Sequence, residues 1–142
     1  MDLKAVYTQM ILEESRNSMN RRELPHHTHK EPGHNPSCGD EIELQADIKG
    51  GVISDASYTG QGCAISQAST SIMCDVIKSM KEEDALKLCD IFIRMVTGEK
   101  ISADEEKMLE DAAIFKTVQN MPARTKCAVL PWYTLKHMLS EK

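Results

Sequence analysis

Nothing in this chain is spaced as a CxxC pair, no apolar run approaches the roughly eighteen residues of a membrane span, and positive charge is in deficit. Each shortage excludes something. With 17 Lys and Arg against 22 Asp and Glu the formal charge is −5. That balance argues against a nucleic-acid surface, which needs clustered cations to neutralise phosphate. It also disfavours a polybasic membrane contact. Missing CxxC spacing and an odd cysteine count (Cys38, Cys63, Cys74, Cys89, Cys127) do not read as a zinc ribbon, a thioredoxin motif or a disulfide framework. The start, Met1-Asp2-Leu3-Lys4, does not read as a basic segment followed by an apolar stretch, so a secretory signal is not expected. The expectation is a cytoplasmic, reducing setting, where thiols stay free as metal ligands or nucleophiles.

What is present is ordinary globular chemistry. Of the 142 residues, 41% are apolar and 27% charged, enough for one core without staples and too apolar for a disordered chain. One domain over residues 1–142 is expected, most simply a monomer. Asp2 is a plausible cap for an amphipathic helix over 3–14, carried by Leu3, Val6, Tyr7, Met10 and Ile11. Residues 15–36 hold three prolines and little apolar content, and read as a connector with at most one short edge strand. Ile42, Leu44, Ala46 and Ile48 then alternate with polar residues, which predicts a strand with one face buried. Gly50-Gly51 turns it into a returning strand, Val52 to Thr59, broken by Gly60-Gln61-Gly62.

From Cys63 onward the pattern is helical. Residues 64–80 are rich in small side chains that let another backbone come close. Residues 83–97 repeat apolar positions, with Gly98 as the stop. Ser102-Ala103-Asp104-Glu105 is a capping box opening a helix through Leu109, Ala112, Phe115 and Val118, ended by Met121-Pro122. A last helix begins between Arg124 and Pro131. The fold class is α+β: a small antiparallel sheet of about three strands packed against several helices.

Chemistry concentrates at three element boundaries. In Asn35-Pro36-Ser37-Cys38-Gly39-Asp40, a glycine pivot lets thiolate and carboxylate converge; taken alone, it is equally a turn with an aspartate cap. Cys63 follows Gly62 at a helix start, where the dipole favours thiolate, or else it is a buried thiol behind a turn. Cys127 stands near a helix start with Arg124 and Lys126, cations that offset negative charge or are merely solvated. Cys74 and Cys89 lie within helices as small core hydrophobes. Jointly, the three boundary cysteines and Asp40 supply the four ligands of a tetrahedral Zn²⁺ site, although their wide spacing proves nothing alone.

Those three motifs, with Gly60-Gln61-Gly62-Cys63-Ala64-Ile65-Ser66 and Ala123-Arg124-Thr125-Lys126-Cys127, together resemble the cysteine motifs of the IscU/NifU-like iron–sulfur cluster assembly family. The SufU branch is nearest, because the stretch between Cys63 and Cys127 is long and Lys126 stands where IscU scaffolds have histidine. The resemblance implies the SufE/NifU fold and Zn²⁺ held by Cys38, Asp40, Cys63 and Cys127. It implies that sulfur arrives from the persulfide of a SufS-type cysteine desulfurase onto Cys38, freed when a desulfurase histidine takes its place on zinc. It implies delivery to SufBCD-type machinery, and a contribution to activity from Arg124. The alternatives are a scaffold building a transient 2Fe–2S iron–sulfur cluster on the same ligands, and a purely structural zinc module. Two oddities accompany the match. Pro131 lies where the last helix should continue, so that helix is expected to start late or bend. His26, His27, His29 and His34 crowd the connector, read as a solvated loop in preference to a second metal site.

Overall fold

The computed structural model describes residues 2–36 and 39–140. Helix α1 (Leu3–Ser15) starts where expected, Asp2 accepting a hydrogen bond from the Ala5 N–H at 2.8 Å. Strands β1 (His29–Asn35), β2 (Asp40–Lys49) and β3 (Val52–Gln61) form one antiparallel sheet in that order. Helices α2 (Ala64–Ile77), α3 (Glu82–Val96) and α4 (Ala103–Leu109) follow. A 3₁₀ segment (Glu110–Val118) and α5 (Pro122–Ser140) complete the chain.

The alternation in β2 buries Ile42, Leu44 and Ala46, and Leu44 and Ala46 join the core against the helices. The other face is not the solvent face that its polar residues predict: Gln45 and Asp47 are buried too. The connector explains this. Its Leu24 N–H donates to Gln45 Oε1 at 2.9 Å, and the Asn20 carbonyl accepts from the Tyr58 N–H, so the strap lies across the sheet and closes over its polar side. The expected edge strand within that connector is β1.

Gly60 does not break β3 as the sequence leads one to expect. The strand runs on to Gln61, and Gly60 at φ +114° pairs with Ile42. A Cβ there would sit 2.1 Å from the Glu41 carbonyl oxygen, so glycine is needed for close approach, not for a turn. Helix α2 ends at Ile77, short of the expected residue 80, because Ser79 and Met80 hydrogen-bond with Ile53 at the sheet edge. The Ser102 capping box forms as read, but Glu110 at φ +51° divides the expected single helix into α4 and the 3₁₀ segment. Helix α5 begins at Pro122, before the expected start, and continues through Pro131. Proline is well suited to a first helical turn, where its missing N–H has no partner to lose.

Candidate metal centre

Two packed helices set the geometry of the site. Ser69 of α2 donates to the Ala128 carbonyl of α5 at 2.6 Å and accepts from Trp132 Nε1 at 3.0 Å. Trp132 in turn stacks on Phe92 at 4.3 Å. The small residues of α2 permit that approach, and Cys127, next to Ala128, is thereby held beside the first turn of α2.

Cys63 is the N-cap of α2 and accepts from the Ser66 N–H at 3.4 Å through Sγ. Its own N–H donates to Asp40 Oδ1 at 2.8 Å, while Asp40 Oδ2 lies 3.9 Å from the sulfur. Asp40 opens β2 and is fully buried. One carboxylate oxygen is thus fixed by a backbone donor and the other is aimed at the thiol. Gly62 makes room for this arrangement. A Cβ at Gly62 would lie 2.6 Å from Asp40 Oδ1 and 2.4 Å from Ser66 Oγ. Neither Ser66 nor this demand on Gly62 was legible beforehand; the signal was a serine three residues after a capping cysteine.

Ligand atoms of Asp40, Cys63 and Cys127 all lie within 4.8 Å of one another. Around a tetrahedral zinc with bonds of 2.0–2.3 Å, ligand atoms stand roughly 3.3–3.8 Å apart, so modest side-chain movement closes the set on an ion. Three of the four sequence-predicted ligands therefore converge. The fourth, Cys38, lies outside the described residues; its neighbour Gly39 takes φ +69°, the pivot conformation expected of it. Arg124 is exposed on the groove that Cys63 and Cys127 also line, whereas Lys126 is exposed and does not line it.

Cys74 and Cys89 are fully buried, and burial pushes both thiols up to about 12, so they stay protonated at neutral pH. They are the core residues the sequence indicated. In the connector, His26, His27 and His34 are exposed and His29 bonds Thr28 Oγ1 at 2.7 Å.

The family model for the NifU-like N terminal domain matches residues 6–128. The chain belongs to that family. A similar protein is the iron–sulfur cluster assembly scaffold protein IscU of Thermotoga maritima, 37% identical over 141 residues, 99% of this chain and 97% of that one. Another is the zinc-dependent sulfurtransferase SufU of Bacillus subtilis, 36% identical over 135 residues, 95% of this chain and 90% of that one. Among solved structures, one from Fervidobacterium islandicum AW-1, described as an iron–sulfur cluster assembly scaffold protein for the SUF system, has a TM-score of 0.89 at 34% identity. It covers 96% of this chain and 98% of that chain. An N-terminal NifU-like structure from Brucella abortus shares the fold, TM-score 0.81 at 20% identity. The family is thus one of iron–sulfur cluster assembly, and the relatives carry both IscU and SufU names. Among the described residues no helix is long and apolar enough to cross a membrane.

Proposed function

We propose that the chain, as one domain over 1–142, is a zinc-dependent sulfur carrier that accepts persulfide sulfur from a SufS-type cysteine desulfurase on Cys38 and delivers it to SufBCD-type machinery. The observation that carries this reading is the convergence of Asp40, Cys63 and Cys127 within 4.8 Å beside an open groove. Two thiols and a carboxylate, with a third thiol at Cys38, are a donor set that suits Zn²⁺. Cys38, Asp40, Cys63 and Cys127 would hold the ion, which when bound keeps its thiol ligands deprotonated. The similar zinc-dependent sulfurtransferase supports the same direction, as does Lys126 before the third cysteine.

The chain's own residues do the rest. The Cys63 N–H fixes one oxygen of the Asp40 carboxylate, which orients the other toward the sulfur. Arg124 places a cation beside the anionic cluster. Cys38 attacks the outer sulfur of the donor persulfide: a new S–S bond forms at Cys38, the donor's S–S bond breaks, and the donor leaves as thiolate. The test is mass spectrometry, peptide by peptide, after incubation with desulfurase and cysteine. One added sulfur on the Cys38 peptide is expected. Cys38→Ala should abolish it while leaving the protein folded, and desulfurase stimulation retained by that variant would overturn the reading.

A second reading, a scaffold assembling a 2Fe–2S cluster on the same ligands, is favoured by the relatives named as scaffolds. Anaerobic purification separates the two: a colourless protein with stoichiometric zinc supports the carrier, a brown protein with sulfide the scaffold.

A further inference from the structure

Beside the two thiols lies a groove of about 540 Å³, framed by α1, the 3₁₀ segment and the first turns of α2 and α5. Ile11 and Val118 form its buried floor, while Leu12 and Ile65 add apolar wall nearer the surface. In a chain of net charge −5, both charged residues lining it, Lys4 and Arg124, are cations, and both are exposed. Among the described residues neither cation is ion-paired; Arg124 Nη1 lies 3.7 Å from Met121 Sδ. The positive ends of α2 and α5 reach the same space. An apolar cavity of this size with a few convergent polar groups is the form of a small-molecule site. Its chemistry asks for an apolar body ending in an anion, and its inner wall presents Cys63 and Cys127.

We infer that this groove binds a low-molecular-weight thiol that carries a carboxylate on an apolar body, and that this thiol is a sulfur acceptor from the loaded protein. The inference rests on the carrier reading above and names its substrate class. The carboxylate sits with Lys4 and Arg124 together and the methylene body covers Ile11, Leu12, Ile65 and Val118, which brings the thiol end to Cys63 and Cys127, the residues that in the carrier reading share their ion with the persulfide-bearing Cys38. In the transfer the acceptor, as R–S⁻, attacks the outer sulfur of the protein persulfide. An S–S bond forms in R–S–SH, the protein's S–S bond breaks, and the protein cysteine leaves as thiolate and recovers the proton the acceptor lost. No net oxidant or reductant is required.

The test has two arms on the full-length protein. In the first, hexanoate, which has no thiol, is titrated into the zinc-loaded protein and amide shifts are followed by NMR. Saturable shifts at Ala64, Leu12 and Thr117 are expected, lost in Leu12→Glu. In the second, persulfide-loaded protein is discharged with mercaptohexanoate, with mercaptohexanol, which lacks the carboxylate, and with mercaptoacetate, which lacks the apolar body. Mercaptohexanoate should be faster than either by about tenfold or more, the scale of one charge-assisted contact, and Lys4→Gln or Leu12→Glu should erase the advantage. Hexanoate that shifts nothing overturns the site. Shifts combined with equal discharge by all three thiols overturn the acceptor role. A protein that never acquires sulfur, as judged by mass, overturns the carrier reading and with it the acceptor role, while the NMR arm still decides the groove.

Discussion

Cys63 and Cys127 differ from Cys74 and Cys89 in almost nothing but surroundings. All four are cysteines that belong to helices or their caps. Cys63 and Cys127 sit near helix N-termini, line a groove and share a carboxylate with one another. Cys74 and Cys89 are enclosed by hydrocarbon, with neither exposed at all. Burial among hydrocarbon keeps the second pair as neutral thiols that fill space, while Cys63 is half-buried and Cys127, buried from most solvent, still faces the groove beside Asp40. The residue type is common to both; the fold assigns the role.

The comparison breaks most severely if a charge is forced into the inert pair. Cys74→Asp buries a carboxylate at a site with no exposure, and a loss of at least about 4 kcal/mol is expected, enough to unfold many domains. Circular dichroism and urea titration would show it, whereas Cys63→Asp should leave the fold standing. A next step down is thiol labelling. Burial raises Cys74 and Cys89 from 9.0 to about 12, which lowers their thiolate fraction at mild pH about a thousandfold, before access is considered. Cys63 should label in the native protein and the buried pair only after unfolding; early labelling of Cys89 would contradict this account. The same shift has a sign in stability. The folded values lie above the unfolded ones, so the contribution is intact below pH 9 and is lost as pH rises toward 12. Alkaline unfolding midpoints should therefore fall over that window, less so in Cys74→Ala.

A smaller effect sharpens the groove-lining pair. Gly62→Ala pushes against Asp40 and Ser66, and zinc affinity in a chelator competition should drop about 10–100-fold, the usual scale for disturbing what orients a ligand. An unchanged affinity would remove Gly62 from the argument. The least effect belongs to the surface. Glu105 is held below the usual carboxylate range by the Ser102 N–H and then by Arg94. Its contribution is present above that range and fades as pH falls through it, so Glu105→Gln should flatten the acid limb of a stability–pH curve slightly.

How much of this was readable beforehand follows the reach of each interaction. The Asp2 cap, the Ser102 capping box and the Gly98 stop are complete within a few residues, and each stands where the sequence placed it. The alternation through Ile42, Leu44 and Ala46 located β2, but not the burial of Gln45 and Asp47, because the cover is a connector some twenty residues away in sequence. Gly60 was misread for the same reason: a strand partner's carbonyl, not the local chain, is what demands glycine there. Pro122 and Pro131 look alike as helix breakers until α5 is seen to start on one and run through the other.

The sequence alone determined the periodicities, the caps, the acidic balance and which cysteines stand beside glycine or proline, since those depend on neighbours along the chain. It also carried the family, through motifs that need no coordinates. Only tertiary structure brought Cys127 across from α5 to Cys63 and Asp40, and only it opened a cation-rimmed groove next to them. The physical reason is that side-chain packing, here Ser69 and Trp132 locking α5 onto α2, sets distances between residues that no spacing in the chain encodes.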